Sequence, residues 1–149
     1  MAWHTKTVHV PASSHNPIST GLNFAEGAKV TIVSEGVALI GPIKEGWKYQ
    51  GAEGETAPSP PPEAFGFTRI SMEANWGALL AATGTVFTPL HGGLLNWSPP
   101  TDDNLSFIVN DTLNAVRELP NGFSDNQGGF DVTVWYNDKD LVGRERNSV

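Results

Sequence analysis

The sequence contains no cysteine, which excludes disulfide scaffolds, thiolate zinc sites, iron–sulfur clusters and cysteine nucleophiles. Basic residues are also few, since 9 Lys and Arg stand against 16 Asp and Glu for a formal net charge of −7. This shortage of cations argues against a nucleic-acid partner, because affinity for nucleic acids depends on neutralising phosphates. No apolar run approaches the roughly 20 residues of a membrane-spanning helix, so no membrane span is expected.

Targeting and catalytic patterns are absent as well. The first ten residues, MAWHTKTVHV, lack the charged and then apolar segments of a secretory signal peptide. We therefore expect a protein that is cytoplasmic or exported without a classical signal. HExxH, GxSxG, phosphate-loop and dinucleotide-binding patterns do not occur, and we expect no enzyme. A catalytic carboxylate pair assembled in space would leave no such pattern, so an enzymatic role stays one alternative.

What the sequence does contain is typical of an all-β protein. Its 149 residues are predicted to form one domain over 1–149, with a polar, frayed tail over 140–149. The 16 glycines and 11 prolines indicate many turns. Alternating apolar residues predict strands at Trp3–Val10, Ala28–Ile32, Val37–Ile40, Gly77–Ala82, Asn104–Asn110 and Phe130–Tyr136. The second and third are predicted to form a hairpin, and the whole is predicted to be a small antiparallel two-sheet β-sandwich or jelly roll.

Acidic and amide side chains lie at the ends of two predicted strands. Asp111 follows one strand, and Asp125 and Asn126 stand just before the next. Oxygen ligands of this kind are those that calcium takes in sets of six to eight. The EF-hand pattern is absent, so these residues alone leave open both a calcium site and an ordinary turn rich in Asp and Asn.

Six segments occur in a fixed order along the chain. They are VTIVSEGVALIGP (Val30–Pro42), GAL (Gly77–Leu79), Thr83–Gly84, GLLNWSP (Gly93–Pro99), FIVND (Phe107–Asp111) and FSDNQGGFDV (Phe123–Val132). Together they resemble the bacterial calcium-dependent galactophilic lectin I family, the LecA type. The resemblance implies a small β-sandwich in which one calcium ion bridges protein and galactose, usually within a homotetramer.

The resemblance also implies a calcium ligand set. Asp111 matches the family's bidentate aspartate, and Asp125 and Asn126 match a consecutive pair of asparagine ligands. Ile40 and Gly122 match residues that give backbone carbonyls. An aspartate at position 125 adds negative charge toward calcium but removes an N–H donor toward a sugar oxygen.

The loop Gly46–Pro62 is where this chain departs most from the family, because the His and Gln that contact galactose are not recognisable there. Loops of this length in a compact domain are surface segments and often bind ligands. The residues expected to contact the sugar are Asp111, Thr112, Asp125, Trp47, Tyr49, Gln50 and Glu55. An exposed Trp or Tyr would stack on a sugar ring, whereas a buried one would anchor the loop.

We therefore expect a calcium-dependent lectin for galactose or a galactoside that forms a homo-oligomer, either a tetramer or a dimer. The alternative is a structural or assembly module that retains the sandwich and calcium without sugar binding. Trp135 alternates with the apolar face of its strand, so it is predicted either to pack against the second sheet or to lie in a subunit interface.

Overall fold

Short strands with alternating burial dominate the computed structural model, which describes residues 2–55, 62–114 and 121–142, without the side chains of residues 64 and 65. The eight strands are β1 (Trp3–Pro11), β2 (Ile18–Asn23), β3 (Val30–Leu39), β4 (Leu79–Thr83), β5 (Val86–Pro89), β6 (Leu94–Trp97), β7 (Asn104–Val109) and β8 (Gln127–Asn137). No α-helix occurs in these ranges, and no helix there is long and apolar enough to cross a membrane. The predicted all-β class is confirmed.

The strands form two four-stranded antiparallel sheets that pack face to face. Sheet A has the order β1-β8-β3-β6, and sheet B has the order β2-β7-β4-β5. Sheet A contributes Ile32 and Val134 to the core, and sheet B contributes Leu79 and Phe107. Alternate residues of each strand face the other sheet. The alternating apolar residues of β8 in the sequence are therefore the ones buried between the sheets.

The predicted hairpin between Ala28 and Ile40 is wrong, because β3 runs without interruption from Val30 to Leu39. It pairs with β8 from Thr31 to Leu39, so residues Ser34, Glu35 and Gly36, which separate the two predicted strands, lie inside one strand. Gly36 has a φ of 130°, and a Cβ there would lie 2.2 Å from the carbonyl oxygen of Gly129. The glycine at position 36 therefore marks a close approach of two strands and not a turn.

The C-terminal segment is ordered further than predicted. The backbone N–H of Ala25 donates to the carbonyl of Asp140 at 2.7 Å, and Phe24 forms a β-bridge with Leu141. The N–H of Val142 then donates to the carbonyl of Asn23 at 2.8 Å. The frayed-tail prediction is thus wrong for 140–142, and residues 143–149 lie outside the described part of the chain.

Candidate functional site

One end of the sandwich brings together the end of β7 and the beginning of β8, which belong to opposite sheets. The Asn126 side-chain Nδ2 donates to Asp111 Oδ2 at 2.8 Å and to the carbonyl of Ala12 at 2.9 Å. One buried amide therefore joins the ends of β1, β7 and β8. The structure places Asp111 and Asn126 in direct contact, as their positions at the strand ends suggest.

The carboxylate of Asp111 lies in a buried, strongly perturbed environment. Burial raises its pKa from 3.8 to about 7. Hydrogen bonds from Asn126 and from the backbone N–H of Thr112, at 2.7 Å, act in the opposite direction, and the charge of Asp125 raises the pKa further. The local electrostatics therefore disfavour a bare carboxylate, and a nearby cation would reverse that effect.

Asn126 carries a second sign of an incomplete site. Within the described residues its Oδ1 is buried and has no hydrogen-bond partner. Buried polar atoms are almost always paired, so an unpaired amide oxygen beside a buried carboxylate is suited to receive a cation or a hydrogen-bond donor. A carboxylate and an amide oxygen are hard donors that suit calcium, so the residues present fit the ion that the resemblance implies.

The segment before β8 is folded tightly against Asp111. Gly122 begins a short 3₁₀ turn over Gly122–Asp125, and its N–H donates to the carbonyl of Thr112 at 2.9 Å. A Cβ at Gly122 would lie 2.5 Å from Thr112 Cγ2 and 2.9 Å from Asp111 Oδ1. Only glycine fits here without displacement, and the turn delivers Asp125 close enough to affect the Asp111 pKa.

Ile40 reaches the same end of the molecule through strand register. Leu39, the last residue of β3, pairs with Gln127, the first residue of β8. Ile40 directly follows Leu39 and Asn126 directly precedes Gln127, so the two residues lie at the same end of this strand pair. Ile40 is buried. No group of three or more His, Cys, Asp or Glu side chains able to hold a metal occurs in the described ranges. A metal at this end would therefore depend on amide and carbonyl oxygens as well as carboxylates.

Asn110 is a structural support of the site that the sequence analysis missed. Its fully buried amide donates to the carbonyls of Ser71, Ala74 and Asn75 at 2.9–3.2 Å and accepts the N–H of Ser71 at 2.9 Å. The adjacent carbonyl of Asp111 accepts the N–H of Ile70 at 3.2 Å. Asn110 thus fixes the 70–75 segment against the end of β7. Its only sequence signal was its place before Asp111 in FIVND.

Trp47 does not offer a face to a sugar, and that part of the prediction is corrected. Its indole is buried in the core, edge-on to Trp76 with ring centroids 6.2 Å apart. A Cβ on Gly41 would lie 2.3 Å from the Trp47 ring, so this glycine makes room for it. Trp47 therefore anchors the loop, which is the second of the two roles considered.

Tyr49 lies on the surface beside the site. Its exposed side chain donates from the hydroxyl to Gln127 Oε1 at 2.9 Å, and Gln127 directly follows Asn126 in the chain. This hydrogen bond holds the ring next to the strand end that carries the candidate calcium ligands. Of the aromatic residues expected in this loop, Tyr49 is the one whose ring is accessible.

The other residues expected to contact a sugar have mostly structural partners. Gln50 forms a backbone bridge with Ala38, and Glu55 Oε1 accepts the N–H of Lys48 at 3.2 Å. The buried hydroxyl of Thr112 donates to Asn114 Oδ1 at 2.8 Å. Residues 56–61 of the loop lie outside the described part of the chain.

Comparison with known proteins gives three findings. The family described as PA-IL-like protein matches residues 2–139. Lectin A of Photorhabdus laumondii subsp. laumondii is 26% identical over 125 residues, which cover 84% of this chain and 86% of that protein. A solved structure of the EclA N-terminal domain, a PllA-like lectin, superposes with a TM-score of 0.66 at 20% identity, covering 89% of this chain and 96% of that one. The last finding concerns the fold alone.

Proposed function

The chain belongs to the PA-IL-like protein family, and from this premise we propose that it is a calcium-dependent lectin for galactose or a galactoside. Membership supports carbohydrate binding, and the named relatives are lectins. The observation that carries the metal proposal is the buried Asp111 carboxylate against Asn126, whose Oδ1 has no hydrogen-bond partner in the described residues.

The proposed ion is held by residues from three parts of the chain. Asp111, Asp125 and Asn126 would supply side-chain oxygens, and Ile40 and Gly122 would supply backbone carbonyls. With Asp111 bidentate, these residues would offer about six oxygens, and calcium takes up to about eight, so two adjacent sugar hydroxyls would complete its coordination and become better hydrogen-bond donors. The two carboxylates would neutralise the charge of the ion and relieve the unfavourable burial of Asp111.

Around the ion, the protein's own residues would orient the sugar. Asp111 and Asp125 would accept hydrogen bonds from hydroxyl groups, whereas Asp125 as a carboxylate has no N–H to donate. The exposed ring of Tyr49 would cover the apolar face of the pyranose, because aromatic rings combine a large apolar area with restricted conformational freedom. This role is the one that the sequence analysis gave jointly to Trp47 and Tyr49.

Isothermal titration with galactose tests the proposal directly. We expect binding in calcium buffer and none after EDTA treatment. Asp111→Ala is expected to abolish both calcium and galactose binding. Asp102→Asn is expected to leave both unchanged, because Asp102 is exposed and lies before the first residue of β7, at the strand end opposite Asp111. Galactose affinity retained in Asp111→Ala would place the sugar site elsewhere.

The alternative is a module that keeps calcium without sugar binding, and two observations favour considering it. Asp125 stands where an amide donor is expected, and Trp47 is buried instead of exposed. A glycan array in calcium buffer separates the two functions. Calcium binding by the protein with no glycan retained on the array would support the module and contradict the lectin.

Our proposal includes a homo-oligomer. Single sugar sites bind weakly, and presenting several on one particle raises the effective affinity by about 10²–10⁴ without new contacts. The candidate site lies at an end of the sandwich, so the faces of the sheets are left for contacts between subunits.

A further inference from the structure

A pocket of about 340 Å³ opens beside β3, where the short strand β6 no longer covers it. Ser34 and Gly36 of β3, the loop residues 50–54, and His91 and Gly92 of the turn between β5 and β6 form its wall. The volume falls within the range of about 300–1,000 Å³ that is usual for small-molecule sites. None of these residues belongs to the proposed ion site.

The pocket occupies a gap in the hydrogen bonding of β3. Strand β6 pairs with β3 as far as Ile32, and Gln50 bridges to Ala38 further along. Between these points no described segment pairs with this side of β3. Both backbone groups of Ala38 bond to Gln50, at 2.9 and 3.0 Å, and the backbone groups of alternate residues in a strand point the same way. Ser34 and Gly36 therefore present backbone donors and acceptors to the pocket.

Four polar side chains that line the pocket have no hydrogen bond to any described residue. They are the Ser34 hydroxyl, the Gln50 amide, the Glu53 carboxylate and the His91 imidazole. His91 also has a φ of 51°, which is uncommon for a residue other than glycine. Strained backbone of this kind clusters at binding sites, so the turn at His91 and these unpaired groups indicate a site for a polar ligand.

The lining groups suit a neutral ligand with many hydroxyls. A hydroxyl, an amide and a neutral imidazole each donate and accept, and a carboxylate accepts from hydroxyl groups. Among the described lining residues there is no Lys or Arg, so Glu53 would repel a phosphate or a sulfate without compensation. Ala52 supplies the apolar side chain there, which is too small to hold a large apolar ligand. A sugar unit has the required chemistry.

Two consecutive residues connect the pocket with the proposed galactose site. Tyr49 donates to Gln127, which follows the proposed calcium ligands in the chain, whereas Gln50 lines the pocket. Gly36 lies four residues before Ile40, or about 13 Å along an extended strand at roughly 3.3 Å per residue. A galactose held at the ion would not fill the pocket by itself, but an oligosaccharide that ends in galactose would reach it.

We infer that this pocket is a subsite for further sugar units of a neutral oligosaccharide whose terminal galactose is held at the proposed ion. The inference rests on the proposed function and extends its ligand from galactose to galactose-terminated oligosaccharides. The pocket-facing backbone groups of Ser34 and Gly36, with the side chains of Gln50 and Glu53, would bind the hydroxyls of the added units. The terminal galactose would remain with Tyr49 and the ion.

Isothermal titration in calcium buffer tests the inference with galactose and with a panel of neutral, differently linked oligosaccharides that end in galactose. At least one oligosaccharide is expected to bind wild type about 5–50-fold tighter than galactose, as one or two net hydrogen bonds would give. Gly51→Trp and Gly92→Trp should each remove this gain and leave the galactose affinity unchanged. Neither glycine has a left-handed φ or an atom within 4 Å of its Cβ position, so the new side chain enters open space.

Val86→Trp is the matched control, because it adds the same ring to an exposed residue at the far end of β5 and should keep both affinities. Glu53→Gln should weaken the favoured oligosaccharide, whereas Glu26→Gln, in an exposed turn before β3, should not. Unchanged galactose affinity reports an intact fold in each variant.

Two results would overturn the subsite alone, while galactose still binds. One is that no oligosaccharide binds tighter than galactose, and the other is that the gain survives in both glycine variants. Absence of galactose binding in calcium buffer would instead overturn the proposed function, and the subsite with it, so the two failures are distinguishable.

Discussion

Burial makes Asp111 a residue through which pH acts on the stability of the calcium-free protein. Its pKa rises from 3.8 to about 7 on folding, so the folded protein holds this proton more tightly than the unfolded chain. The resulting contribution to stability is full below pH 3.8 and is lost as pH rises through 7. At about 1.4 kcal/mol per pKa unit, the loss amounts to roughly 4 kcal/mol at most.

Asp111→Asn should remove this dependence while preserving size. In EDTA, the variant is expected to be more stable than wild type at pH 8, and the difference should shrink toward pH 4. Urea unfolding across this range gives the measurement, with Asp102→Asn as the exposed control. A difference that is constant across the range would show that Asp111 does not titrate as described.

Substitutions at Tyr49 test the proposed contact between its ring and a sugar bound beside the proposed ion. Tyr49→Ala removes the exposed ring and is expected to weaken galactose binding about 3–30-fold, which is roughly 0.6–2 kcal/mol. Tyr49→Phe keeps the ring and loses only the hydrogen bond to Gln127, so it should stay within about threefold of wild type. Calcium affinity measured without sugar should be unchanged in both. Equal losses in the two variants would assign the effect to the hydroxyl.

At the scale of elements, the β3–β8 pair depends on Gly36 and Gly128, where a Cβ would meet a backbone carbonyl oxygen of the facing strand. Gly128 has a φ of 80°, and a Cβ there would lie 2.3 Å from the carbonyl oxygen of Val37. Gly27 has a similar φ of 83° but nothing within 4 Å of its Cβ position. Gly128 and Gly27 share the backbone conformation that favours glycine, and they differ in the room available for a Cβ atom.

We therefore expect Gly128→Ala to destabilise the protein more than Gly27→Ala. The latter should cost about 1 kcal/mol from the left-handed backbone, and the former at least about 2 kcal/mol more because strands must separate. Chemical denaturation of the two variants measures the difference. Equal losses would mean that the strands shift without cost.

Strand patterns in the sequence predicted β1, β7 and β8 well. Of the three, β8 alternates between a core face and a solvent face, whereas β1 is exposed over most of its length and β7 has no exposed face. The error at β3 has a physical cause, since Gly36 serves a close contact with Gly129, and glycine gives the same sequence signal for a contact and for a turn. The strands β5 and β6 have four residues each, too few to establish a period.

The candidate site was likewise predictable only in part from the sequence. Asp111 and Asn126 could be predicted to meet because both flank strand ends. The burial of Trp47 depends on the space left by Gly41, and the role of Asn110 depends on carbonyls 35–39 residues away in the chain. Such tertiary contacts leave no periodic trace in a single sequence.

For the whole molecule, a bound calcium ion would act as a stabilising ligand. Binding that favours the native state adds about 2.7 kcal/mol at a ligand concentration of 100 Kd, which is roughly 5–10 °C in Tm for a chain of this size. We expect EDTA to lower the Tm by that amount in wild type and to leave Asp111→Ala unaffected. Magnesium at the same concentration serves as the ionic-strength control, and an equal shift with magnesium would contradict a calcium site.

The hydrogen bond from Asn126 to Ala12 closes 114 residues of chain, and the bond to Asp111 joins opposite sheets. Contacts of such separation form late, after most of the chain has lost its freedom. An ion that binds only the completed cluster would therefore leave the folding rate almost unchanged and slow the rate of unfolding. A lectin built this way would gain lifetime from calcium, and the concentration of the ion outside the protein would set how long each folded molecule persists.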